Sequence, residues 1–250
     1  MIKHFKIGNA GNALLLILIA TALFAALSYT VFLSGKNART LSDEELALGV
    51  AQMLDYASKV DQAVRHVMLE NGCTETQVSF LWDSDGDGSS ETNGDDWNYN
   101  PLSPPDNSCH IFEPEGGGLV YQDVPLAIAA DPIDYVDVDT DSFYWFTSQN
   151  ELQGIGESYA SGSDNGTDIV MFGLNITEDA CKYINRRLNI GSDITQTNVM
   201  MTPNHNGEFP EAHNDIFNTA GSADLAGKMQ GCVLENNISS YHYFHVLIVR

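Results

Sequence analysis

Three aspartates at alternate positions, Asp83, Asp85 and Asp87, precede Gly88 in the loop "DSDGDGSSETNGDDWNYNPLSPPDN" at 83–107. Alternate carboxylates on a tightly turning chain converge on one point, and the glycine permits the sharp turn. Hard oxygen ligands at this density suit Ca²⁺ rather than a transition metal. The calcium-loop pattern then wants a bidentate glutamate at the twelfth position, which here is Gly94. Asp95 or Asp96 could take that place after a small distortion, and Glu91 could ligate directly or through water. The competing reading is an acidic, solvated surface loop. A second acidic run, Asp131, Asp134, Asp137, Asp139 and Asp141, alternates with Val136 and Val138 and reads as a strand with a wet face.

The four cysteines, Cys73, Cys109, Cys181 and Cys232, are dispersed and form no C-x-x-C pair. Without metal-ligand spacing they read as disulfides made in an oxidising compartment. Three connectivities are possible. The sequence-adjacent pairs, Cys73–Cys109 and Cys181–Cys232, are favoured, because each would staple one loop-rich half of the domain. Four buried free thiols are the alternative.

Other catalytic signals are weak. No H-E-x-x-H, G-x-S-x-G or P-loop pattern occurs. His242 and His245 share an expected strand but are three apart, so they point to opposite faces. The run Gly116–Gly118 has no helical pattern behind it to bind phosphate and reads as a turn. Paired carboxylates single out nothing in a chain so rich in acid. The sequence is therefore read as non-enzymatic.

Charge narrows the partners. Formal net charge is −23. Residues 1–42 hold Lys3, Lys6, Lys36 and Arg39 and no acid, whereas 43–250 hold all 34 acids against seven bases, a balance of 7 − 34 = −27. A surface this acidic repels phosphate backbones, which excludes nucleic acid as the expected partner. Most of the acids read as a solvated surface suited to a salty medium.

These groups must be positioned by a long N-terminal helical system. From Ala10 to Leu33 the only polar side chains are Asn12, Ser28, Tyr29 and Thr30. At ~1.5 Å per residue such a helix crosses a bilayer core of roughly 30 Å, and the run exceeds the usual h-region of a secretory signal. The flanking bases orient it weakly. Disulfides downstream place the C-terminal portion outside the cytoplasm. Apolar residues then recur at Leu46, Val50, Met53, Ala57, Val60, Val64 and Val67, a helical stripe between Leu41 and Asn71. Ser42 with Glu45 makes a capping box, and Asn71-Gly72 a stop. This stripe must pack on the chain's own sheet or on a neighbouring subunit.

A basic leader (Met1–Ile7), glycines at Gly8 and Gly11, the apolar run Ala13–Phe32 and the amphipathic continuation together resemble the type IV pilin and pseudopilin superfamily over roughly residues 1–72. The resemblance implies cleavage by a prepilin peptidase after Gly8 or Gly11. It also implies packing of the apolar helix with copies of itself or other pilin-like subunits, and an antiparallel sheet lying on the amphipathic half. Many members carry a glutamate a few residues into the apolar run; here Asn9 and Asn12 are the polar side chains near that place.

The expected organisation is a basic leader at 1–11, a transmembrane or filament-core helix at 12–34, an amphipathic stalk at 35–72 and an extracytoplasmic head at 73–250. The head reads as α+β, loop-rich and stapled by disulfides. Expected strands are Gln77–Trp82, Cys109–Glu113, Gly118–Gln122, Ser142–Thr147, Asp168–Asn175 and Tyr241–Val249. A helix is expected at Thr177–Gly191, capped by Thr177, and another from Ser222 through "ADLAGKMQG". The functional expectation is a membrane-anchored filament subunit whose acidic head is fixed by calcium and disulfides. The alternative is a membrane-tethered binding or adhesion module presenting the Trp82–Trp97 loop and Trp145 to a ligand. Sequons at Asn165, Asn175 and Asn237 matter only if the source glycosylates.

Overall fold

The structure is a computed structural model that describes residues 43–81, 100–130, 145–150, 152, 154–156, 168–191, 194–197, 207 and 225–250, with Ile17, Ile19 and Ala20 near the N-terminus. The chain divides into two units, Met1–Ser42 and Asp43–Arg250. In the first, Ile17, Ile19 and Ala20 are helical and exposed. Among the described residues no helix is long and apolar enough to cross a membrane; the rest of the apolar run 12–34 lies outside them.

The amphipathic stripe forms helix α1, Asp43–Leu69. All seven stripe positions are buried, joined by Gly49, Tyr56 and Ala63. Acids occupy its first turn and His66 its last, as the helix dipole favours. Ser42, the expected cap, lies outside the described residues. At the far end Gly72 takes φ 72°, so the chain turns back and the Cys73 N–H donates to Val67 O at 3.1 Å. On its wet side run Lys59–Asp55 and Arg65–Asp61, both spaced i,i+4. Such exposed pairs contribute only ~0.3–0.5 kcal/mol each. One buried aliphatic side chain contributes ~1.5–3 kcal/mol, so burial of the stripe holds α1 in place.

A five-stranded sheet supports this helix. Its strands are β1 (Trp145–Asn150), β2 (Asp168–Ile176), β3 (Thr195–Thr197), β4 (Gln230–Glu235) and β5 (Ser240–Ile248), in the order β1-β2-β5-β4-β3. Neighbours along β1-β2-β5-β4 pair antiparallel; β3 pairs parallel to β4, so the sheet is mixed rather than purely antiparallel. Between β2 and β3 comes helix α2, Glu178–Arg187, whose cap Thr177 accepts from the Ala180 N–H at 3.3 Å. Asn189 at φ 54° closes it, ahead of the expected stop at Gly191.

Both faces of the sheet are covered. In β2 every residue but Asn175 is buried, a pattern of two-sided packing. On one face Val170, Phe172, Leu174, Val233, Phe244 and Val246 join Leu152, Ile155, Ile190 and Leu225 in a single cluster. Alternation puts Tyr243, and Cys232 opposite it in register, on the other face, toward the helices.

Several expected elements are replaced. Among the described residues, 77–81 and Cys109–Glu113 meet only at one parallel bridge, Ser79 to His110, and no strand forms at 118–122. Their backbone groups find partners locally. Asn100 donates to Thr76 O and Val78 O, Asn71 donates to Ser108 O, and the turn at Gly116–Gly118 closes on Glu113 O and His110 O. Of the strand expected at Ser142–Thr147, residues 145–147 lie in β1, which runs on to Asn150, and 142–144 lie outside the described residues. In place of a helix from Ser222, residues 225–227 form a turn and β4 follows, because Gly227 takes φ 72° and ends any helical course.

Candidate functional site

The described surface of α1 is built with the chain beside it. Residues 110–128 run along its flank in the opposite sense. Gly117 lies against Ala63, Tyr56 accepts from the Gln122 N–H at 3.2 Å, and Gly49 lies against Ala127 and Ile128. A glycine is required at 49 because a Cβ there would stand 2.7 Å from Ile128 Cγ2. Burial pushes the Tyr56 hydroxyl far above its usual range, so it stays protonated and can act as both donor and acceptor. Between helix and ribbon lies an open groove of ≈ 380 Å³ lined by Gln52, Met53, Asp55, Tyr56, Lys59, Gln122, Asp123 and Pro125. Leu48 on the helix and Val120 and Leu126 on the ribbon are exposed.

Two disulfides clamp the ends of this arrangement. Cys73–Cys109 joins the residues after α1 to the start of the ribbon, with Cα atoms 5.8 Å apart. Cys181–Cys232 joins α2 to β4, at 5.3 Å. These are the sequence-adjacent pairs, and no cysteine is free. Beside the second bridge Asn185 does what a neighbouring strand would do. Its Nδ2 donates to Cys232 O and its Oδ1 accepts from the Cys232 N–H, both at 2.9 Å. The strand β3 reaches only as far as Val233, and Asn185 takes over at the next residue, Cys232.

A buried acid–base pair sits in the β4–β5 hairpin. His242 Nε2 lies 3.6 Å from Glu235 Oε2, and the side chains are 1% and 4% exposed. His242 Nδ1 accepts from the Asn175 N–H at 3.4 Å, so that nitrogen carries no proton and the ring is held neutral. The Asn175 backbone is turned to present this N–H by φ 53°, at an irregularity in the β2–β5 ladder. Burial lowers the His242 pKa to about 3 and raises that of Glu235 to about 7. General acid–base chemistry needs access to a substrate, and burial denies it. His245 faces the other way, where Asp61 and Arg65 of α1 influence it and Tyr243 shares a hydrogen bond with it.

The remaining expected site residues are not brought together by the described structure. Asp83, Asp85, Asp87, Glu91, Asp95 and Asp96 lie outside the described residues, as do Gly8, Gly11, Trp82 and Trp97. Among the described residues no three His, Cys, Asp or Glu side chains form a group able to hold a metal ion. Sequence reasoning missed the Glu235–His242 pair, the two hydrogen bonds from Asn185 to Cys232 and the basic outer edge of α2. Only the last had a visible signal: "NRR" holds the one adjacent pair of bases after residue 42. The chain matches no protein-family model, no curated protein and no solved structure.

Proposed function

We propose that this protein is a type IV pilin-like structural subunit. Its apolar N-terminal segment anchors it in the membrane and bundles with copies of itself or related subunits, while the acidic α+β unit stands outside the cytoplasm as a non-catalytic head. One observation carries the reading: α1 buries every position of its stripe against its own sheet and ribbon. The stripe is thereby used up within the subunit, which leaves the uncharged run before it as the surface for membrane and neighbours. Disulfides that join both halves of the head support an oxidising compartment. In the same reading Ca²⁺ on the 83–96 carboxylates fixes the loop beyond Cys73, and a prepilin peptidase removes the leader. N-terminal sequencing of the mature protein tests it. A new terminus at Asn9 or Asn12 is expected; an intact Met1 refutes processing and favours a simple tether.

The groove between α1 and the ribbon favours a second reading, a membrane-tethered binding module. Its walls join Tyr56 and Met53 to Asp55, Asp123 and Lys59, the mixed lining of a small-ligand cleft. A tethered, unprocessed, monomeric chain would select that reading.

A further inference from the structure

Seven bases serve the outer unit, and four are held by its own acids: Lys59 by Asp55, Arg65 by Asp61, Lys182 by Glu178 and Arg250 by Glu75. Arg186 and Arg187 are exposed and, like the half-buried Lys228, make no ion pair among the described residues. Arg186 lies 5.8 Å over the centroid of Tyr183, a half-buried ring. That stack orients the guanidinium while its N–H edge remains available to a planar carboxylate.

The platform beneath them is rigid. Cys181 and Asn185, one turn apart on the inner face of α2, are fixed to β4 by the disulfide and by two hydrogen bonds. Helical spacing puts Lys182, Tyr183, Arg186 and Arg187 on the outer face. Little further ordering is needed for a partner to bind there.

We infer that this face of α2 docks the carboxylates of a second copy of this chain. A second copy offers exposed acids on an ordered element, among them Asp43 and Glu44 in the first turn of α1. Both copies carry the balance of −27, so the contact depends on arginine and carboxylate meeting at close range. Two copies touch locally, and repulsion beyond ~8 Å is screened at physiological salt. Donor face and acceptor acids are different parts of one chain, so the contact is heterologous and repeats head to tail. The inference rests on the proposed self-association and names its contact.

The test uses the full chain in detergent, with donor- and acceptor-labelled copies read by energy transfer at about 150 mM salt. Wild type should associate with itself. Wild type mixed with R186E/R187E should keep about half the signal, since one copy still offers its arginines. The variant alone should lose association by about tenfold or more. R186Q/R187Q, which disturbs folding less, should fall between. Undiminished association of the variants, or a lowered melting temperature with association unchanged, overturns the inference and leaves the filament reading standing. So does arginine-dependent capture by phosphatidylserine vesicles with self-association unchanged. Failure of wild type to associate at all overturns both.

Discussion

Replacing Glu235 by glutamine should change the shape of the protein's stability against pH. Burial raises the Glu235 pKa from its ordinary 4.5 to about 7 and lowers that of His242 from 6.5 to about 3. The signs oppose. A raised carboxyl gives stability that is complete below 4.5 and is lost as pH rises through about 7. A lowered imidazole gives stability that is present above 6.5 and is lost as pH falls toward about 3. Between pH 4.5 and 6.5 the unfolded pair carries one proton, on histidine, and the folded pair also carries one, on glutamate. Proton numbers match, so the pair contributes no slope there. Glutamine removes the carboxyl and leaves the histidine, so the variant gains ~1.36 kcal/mol per pH unit relative to wild type. Across that window, with the carboxyl partly titrated at each edge, the difference amounts to about 2 kcal/mol. Urea unfolding of both proteins at half-unit steps from pH 4.5 to 6.5 measures it, and subtraction cancels the other acids. A difference constant to within about 0.5 kcal/mol would mean that Glu235 is ionised throughout, and the account of the buried pair would fail.

Three further outcomes are expected. Asn185→Ala strands the buried N–H and C=O of Cys232 and should cost ~2–4 kcal/mol in urea unfolding, with the Cys181–Cys232 bridge intact by mass under non-reducing conditions. Gly116→Ala should cost more than ~2 kcal/mol, because its Cβ would stand 2.0 Å from the His110 carbonyl oxygen; an unchanged melting temperature would show that the turn can shift. Chelation of divalent cations should lower the melting temperature of wild type, and Asp85→Ala should abolish that response, whereas an unchanged wild-type melt removes calcium from the reading.

What could be read from the sequence was whatever repeats locally. The α1 stripe needed only the apolar spacing from Leu46 to Val67. Thr177 and the "ACKYI" spacing located α2, and the β-branched and aromatic runs located β2 and β5. β4 was missed because "QGCVLE" has no decisive period and follows a stretch with good helix formers; its neighbours β5 and β3 make it a strand. The segments 77–82, 109–113 and 118–122 have strand composition, yet Asn100 takes the carbonyl of Val78 and the Tyr56 hydroxyl takes the N–H of Gln122. The site was less legible. Glu235 and His242 meet only because the hairpin places Val233 opposite His242 and Glu235 opposite Ser240, and Asn185 reaches Cys232 across 47 residues.

The strand order has a consequence for biogenesis. β5, at the middle of the sheet between β2 and β4, follows the other four strands of the sheet in the chain. As the polypeptide is synthesised, β1 and β2 emerge with nothing to join them to β4 until residues 240–248 follow. Cys73 can find Cys109 early, while Cys181 must wait for Cys232. An oxidant acting too soon on the nascent chain therefore has only Cys73, Cys109 and Cys181 to join, and a wrong partner for Cys181 would trap α2 away from its seat.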